Sequence, residues 1–158
     1  MIIELKNNTN AAALAAAHQA FHILYLGKDY LITGSGVKEV PAALQVALQE
    51  GSVAQDQVAD LSAAALRFWT HVSAQQLDEG VLEEFNEQRI IADINQMKQP
   101  DKVWVKAHEV VVIDFKTGLR QDNHMQQIIA YAGLLQTIFA LPVRPILYYT
   151  QLDLFLEL

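Results

Sequence analysis

Two aspartates and a lysine can be counted into one place in this chain. Asp101 stands in QPDKVWVK, and Asp114 and Lys116 stand in VVVIDFKTG. Strand side chains alternate between faces, so Asp114 and Lys116 share one face and Phe115 takes the other. Suppose 102–106 and 109–113 form a hairpin with Ala107-His108 as its two-residue loop. Lys106 then opposes Glu109 and, counting outward along both strands, Asp101 opposes Asp114. That register sets their Cβ atoms roughly 4.5–5.5 Å apart. Like charges at that distance repel unless something lies between them, and a divalent cation with oxygen ligands is the natural occupant. The same short patterns have a plainer reading. Pro-Asp also marks a turn, a strand-end lysine is often only solvated, and Ala-His is not a favoured turn pair.

The elements that must position these residues follow from periodicity. Apolar residues at helical spacing fill 9–26 and Gly27 ends the run, which predicts a helix; 28–40, with Gly34-Ser35-Gly36, reads as a loop. Pro41 can open a short helix to about Glu50. Ser52 with Gln55 resembles a capping box ahead of a long helix over 53–77, striped by Val58, Leu61, Ala65, Leu66, Trp69 and Val72. From Asn86 onward the texture changes, and 87–94, 102–106 and 110–115 read as three strands. The run Val110 to Ile113 is apolar on both faces, as suits a central strand. Asn123 with Gln126 can cap a helix over about 123–140, and 146–150 and 154–158 are late strands. There is no internal repeat. This order predicts one α+β domain with a mixed sheet, mainly helical over 1–80 and with the sheet core and site in 81–158.

Composition narrows the chemistry. A length of 158 residues suits one domain, and 52% hydrophobic residues are enough for a core. The longest apolar runs are far short of a membrane span, and Glu4 and Asn7 interrupt any secretory-signal pattern. With no cysteine, disulfides, zinc–thiolate sites and iron–sulfur clusters are excluded. These features fit a cytoplasmic protein. The net charge of -7 argues against a stand-alone nucleic-acid binder with a broad basic face. The charge is uneven, however. Lys98, Lys102, Lys106, Lys116 and Arg120 face only Asp101, Glu109 and Asp114 within 98–120, so this segment is locally positive.

Pro100-Asp101 followed by Asp114-Phe115-Lys116 resembles the PD-(D/E)XK nuclease signature. The longer run Val112 to Gly118, VIDFKTG, resembles the IDYKTG stretch of RecB-type nuclease domains, which lie at the C-terminus of UvrD-like helicase–nucleases of the RecB and AddA kind. Gln127 and Tyr131 resemble that family's Gln-x-x-x-Tyr helix motif, and Asn86-Glu87 its acid on the strand before the metal aspartate. His18-Gln19-Ala20-Phe21 resembles the N-terminal histidine motif, with His22, one turn on, as the alternative counterpart. The resemblance runs over nearly the whole chain in order. It departs at Met97-Lys98-Gln99-Pro100, where many relatives carry glycine before the aspartate, and in lacking the cysteines of an iron–sulfur staple. No G-x-x-x-x-G-K-[ST] phosphate loop is present, so these residues carry no motor.

The resemblance implies a restriction-endonuclease-like core and Mg²⁺- or Mn²⁺-dependent hydrolysis of DNA phosphodiesters, in DNA repair or recombination. Asp101 and Asp114 would bind the metal with the Phe115 backbone carbonyl, Glu87 would be a further acidic ligand, and His18 would stand at the metal site. Lys116 would position the attacking water or offset developing negative charge. Gln127 and Tyr131, together with Lys102 and Arg120, would contact DNA, and a UvrD-like helicase motor would be the partner. Several alternatives stay open at this level. Glu87 can be a solvated strand-edge acid, Tyr131 a packed tyrosine with a wet tip, and either histidine a half-buried core residue. The whole can also be a non-catalytic module of the same fold that guides DNA beside a helicase.

Overall fold

In a computed structural model of the chain, residues 2–4, 36–51, 53–86, 89–93, 96–116 and 119–158 are described. Strand β1 (Ile2–Glu4) is followed by helix α1 (Gly36–Gln49), a 3₁₀ turn (Gln55–Gln57) and helix α2 (Val58–Ala74). Then come strands β2 (Val81–Asn86), β3 (Arg89–Asp93), β4 (Gln96–Lys98), β5 (Lys102–Lys106) and β6 (Val110–Lys116). Helix α3 (Asp122–Phe139) and strands β7 (Val143–Tyr149) and β8 (Leu154–Glu157) complete the chain. Two units result: Asn7–Glu79, and Gly80–Leu158 together with Met1–Lys6. The expected helix over 9–26, and with it His18 and His22, lies outside the described residues, as does Glu87. Among the described residues no helix is long and apolar enough to cross a membrane.

The sheet unit is built around one hairpin. The Lys106 N–H donates to the Glu109 carbonyl at 2.9 Å, closing the two-residue loop Ala107-His108. The ladder then runs from Val105↔Val110 to Lys102↔Ile113, which is the register expected from the sequence. The five-stranded sheet has the order β2-β5-β6-β7-β8. Only β6 and β7 pair in parallel; the other neighbours are antiparallel, so the sheet is mixed. A parallel pair needs a long crossover, and α3 supplies it. On one face, Val103, Val105, Val110, Val112 and Leu147 pack with Ile128, Tyr131 and Leu135 of α3, whose helical spacing gives them a common stripe. Strands β1, β3 and β4 form a second, three-stranded antiparallel sheet.

Several boundaries differ from those read in the sequence. Helix α1 begins at Gly36 and carries Pro41 in its interior, giving up one i→i−4 bond there. At the entry to α2, the Ala54 N–H donates to Gln57 Oε1 at 3.0 Å, while the expected capping box of Ser52 with Gln55 falls on Ser52, outside the described residues. The N-cap of α3 is Gln121, with no side-chain cap, and Asn123 lies inside the helix. The strand expected over 87–94 is instead the end of β2 at Asn86 and a separate β3.

The sheet face opposite α3 holds a buried polar cluster. Pairing sets Glu84 against Trp104 and Asn86 against Lys102. The Lys102 ammonium donates to Glu84 Oε1 at 2.6 Å and to Asn86 Oδ1 at 2.7 Å. Trp104 Nε1–H donates to Glu84 Oε2 at 3.0 Å, and Asn86 Nδ2–H to Glu84 Oε1 at 2.8 Å. The ammonium also lies 5.1 Å from the Trp104 ring centre. Burial pulls the Lys102 pKa below its ordinary value, against the attraction of Glu84. Burial alone would raise the Glu84 carboxyl, but the Lys102 charge and the hydrogen bonds from Lys102, Asn86 and Trp104 hold it below its usual range.

Removing one partner of such a pair strands the other. Lys102→Met is expected to cost about 3–5 kcal/mol in urea unfolding at neutral pH, whereas Lys102→Met with Glu84→Leu should recover most of that loss. The Glu84 carboxyl is depressed in the folded state. Its contribution is therefore present above its ordinary value of 4.5 and is lost as pH falls through the folded value. Unfolding measured across the acid range should show a flatter stability profile for Glu84→Gln than for the wild type.

Candidate functional site

Asp101 lies in the bend before β5, and Asp114 lies near the end of β6. Continuing the observed register one rung past Lys102↔Ile113 opposes the two. Instead of a backbone rung, the Phe115 N–H donates to Asp101 Oδ2 at 2.6 Å. The strand-end amide thus takes its acceptor from a side chain, and that bond fixes the carboxylate beside Asp114. Both aspartates are buried, with exposures of 8% and 3%, deep for residues of this type.

Lys116 follows on the same face as Asp114. Its ammonium stands 2.6 Å from Asp114 Oδ2. The approach is ionic and lacks hydrogen-bond alignment, so this buried oxygen accepts no hydrogen bond from the described residues. The ammonium does donate to Gln127 Oε1 at 2.5 Å, and Gln127 Nε2–H donates in turn to Tyr131 Oη at 3.0 Å. Only one orientation of the Gln127 amide can bridge a donor and an acceptor in this way. Burial, then the charges of Asp114 and Asp101, push the Tyr131 pKa far above its ordinary value; hydrogen bonds with Gln127 and the Gln99 backbone offset this only in part. Tyr131 therefore stays protonated, and its hydroxyl ties α3 to the segment leading into Asp101.

Gln127 is exposed, while Tyr131 is buried in the α3 stripe and reaches the site only with its hydroxyl. A direct contact with a bound strand falls to Gln127, with Tyr131 behind it. Lys102 departs from its expected place facing phosphate. It is fully buried on the opposite face with Glu84 and Asn86, because the residue after Asp101 must point the other way. Arg120 is exposed, with Nη2 3.3 Å from Met125 Sδ, and Lys106 pairs with Glu109 at 3.5 Å. Of the segment's basic side chains, Lys98 and Lys116 are half-buried and Arg120 is exposed.

Two further residues belong to the site. Tyr149 on β7 is the parallel neighbour of Lys116, and His124 lies one turn before Gln127 on α3. His124 Nδ1 and Tyr149 Oη are 3.1 Å apart, and the rings sit 5.7 Å apart at a 42° tilt. Burial, then the Lys116 charge, lower the His124 pKa, partly countered by Asp114. The helical spacing of His124 and Gln127 was visible in the sequence; the place of Tyr149 depends on the parallel pairing of β6 with β7.

The donors brought together are two carboxylates and neighbouring backbone. Among the described residues, no group of three or more His, Cys, Asp or Glu side chains could hold a metal ion. Two buried carboxylates, one with an oxygen that accepts no hydrogen bond among the described residues, fit a hard divalent cation whose remaining positions would go to carbonyl oxygen and water. They do not fit a soft or structural zinc centre.

No family model matches the chain, and no curated protein matches it. Among solved structures it is similar to the crystal structure of protein VC1899 from Vibrio cholerae, at 11% identity and a TM-score of 0.39. That alignment covers 90% of this chain and 43% of the other, so the chain spans less than half of that structure. A likeness at this level decides neither fold family nor activity.

The facing carboxylates are expected to take up Mg²⁺ or Mn²⁺ weakly. Calorimetric titration should give heat with the wild type and lose it in Asp101→Asn with Asp114→Asn, which keeps side-chain volume. Equal binding by the double variant would remove these two residues from the metal site.

Proposed function

We propose that this chain is a Mg²⁺- or Mn²⁺-dependent deoxyribonuclease domain with a PD-(D/E)XK core of the RecB type, working in DNA repair or recombination. The observation that carries this reading is the meeting of Asp101, just before β5, with Asp114 and Lys116 of the adjacent β6, the lysine lying against an Asp114 oxygen that accepts no hydrogen bond among the described residues.

Asp101 and Asp114 would hold the cation, and the Phe115 carbonyl is the nearest backbone candidate to join them. A bound divalent ion supplies a lowered water pKa and charge neutralisation at phosphate oxygens. The chain's own residues do the rest. Lys116 offsets negative charge as the phosphorane-like transition state forms, with its ammonium preset by Gln127. Gln127 also presents its amide to the bound strand, and Tyr131 holds Gln127 in place. Arg120, exposed between β6 and α3, would contact a neighbouring phosphate.

The electrostatics favour a tethered enzyme. The chain has 11 basic residues against 18 acidic ones, and Lys102 is withdrawn into the sheet. Phosphate contacts dominate DNA affinity, so few outward cations mean weak binding. A UvrD-like helicase motor, in the same polypeptide or in complex, would supply the missing contacts and raise the local DNA concentration to roughly the millimolar range.

Cleavage of labelled DNA with Mg²⁺ or Mn²⁺ tests the reading. Lys116→Ala is expected to lower turnover by about 10²-fold or more while metal binding is retained. Wild-type turnover in that variant would defeat the mechanism. DNA affinity at about physiological salt, with Ca²⁺ in place of Mg²⁺, should be micromolar or weaker, and nanomolar binding by this chain alone would argue for a self-sufficient nuclease.

A further inference from the structure

Tyr149 is fully buried, and its hydroxyl meets His124 Nδ1 at 3.1 Å. A buried O–H that finds no acceptor costs about 1–3 kcal/mol. If Nδ1 carried the proton it would donate to the phenol oxygen, and the phenol's own proton would be left without an acceptor. The favoured arrangement is therefore the hydroxyl donating to an unprotonated Nδ1. That places the imidazole proton on Nε2. It also keeps the ring neutral, in the same direction as the effects of burial and of Lys116. The tilted contact of the two rings holds the imidazole plane.

The Nε2–H has no partner among the described residues, and the imidazole is half-exposed. It stands one turn from Gln127, on the helix end nearest Lys116, whose ammonium Gln127 accepts. A fixed, neutral donor beside Lys116 adds hydrogen-bonding capacity without like-charge repulsion. Such a donor matches an anionic oxygen held close to a lysine.

We propose that His124 contacts the nucleic-acid substrate, donating its Nε2–H to a phosphate oxygen next to the scissile group, and that Tyr149 is the positioning residue that fixes this tautomer. The inference rests on the nuclease reading and adds to it a substrate contact outside the carboxylate–lysine set. Glutamine can carry an N–H donor at the position of Nε2, whereas asparagine reaches only to that of Nδ1, so the two variants separate donation from bulk.

The test combines binding and spectroscopy on the full chain. Anisotropy of a labelled single-stranded oligodeoxynucleotide, and of its duplex, is followed with Ca²⁺ in place of Mg²⁺. His124→Ala and His124→Asn should weaken binding by about 10-fold, and His124→Gln should keep most of it. Tyr149→Phe should fall between, with thermal unfolding of the His124 variants near wild type. ¹⁵N-histidine spectra should show His124 as the Nε2–H form, with its Nε2 signal moving on oligonucleotide addition while exposed His108 does not. Tyr149→Phe should give a mixture of tautomers. An Nδ1–H tautomer in the wild type, or His124→Ala binding as tightly as the wild type, would overturn the proposal and leave the nuclease reading standing. A wild type that neither binds nor cleaves DNA would overturn both.

Discussion

The bond from the Phe115 N–H to Asp101 Oδ2 is the constraint on which the site depends. The β5–β6 ladder ends at Lys102↔Ile113, but β6 continues into buried surroundings where an amide without an acceptor is costly. Asp101 supplies that acceptor. In doing so it draws a carboxylate out of water and sets it against Asp114. Two buried negative charges then need a compensating cation, and Lys116 provides one at 2.6 Å. The lysine needs an acceptor of its own, which makes Gln127 part of the site, and Gln127 brings in Tyr131.

The same hairpin carries a second charge cluster on its other face, and the contrast is instructive. Asp101 and Lys102 are consecutive, yet they serve opposite sides of the sheet. Around Lys102, the Glu84 carboxylate receives donors on both oxygens and the ammonium has two acceptors. That cluster is closed, and its role is to bind β2 to β5. Around Asp114, Oδ2 is buried with an ionic neighbour but accepts no hydrogen bond among the described residues. Two clusters of similar composition thus differ in how fully their hydrogen bonds are satisfied.

Helix α3 joins the sheet's core to the site through one face. Ile128, Tyr131 and Leu135 pack on the valines of β5 and β6, while His124 and Gln127, toward the helix start, reach the end of the sheet where Asp114 and Lys116 emerge. Packing of the apolar stripe therefore sets the depth and rotation at which the polar residues arrive. Tyr131 belongs to both sets, with its ring in the core and its hydroxyl in the polar chain.

What the residue order alone determined is the part governed by short periods. A two-residue loop and the alternation of strand side chains were enough to place Asp101 opposite Asp114 and Lys116 beside it, since counting along two adjacent strands needs no knowledge of the rest. The 3.6-residue period likewise placed Gln127 and Tyr131 on one face of α3. Tertiary structure decided everything that depends on which distant segment becomes a neighbour. Lys102 read as an outward cation until β2 brought Glu84 and Asn86 against it. Tyr149 gained a place beside Lys116 only through the parallel pairing of β6 and β7, made across the whole of α3. Local patterns fix the face on which a side chain stands, and long-range pairing fixes what it meets there.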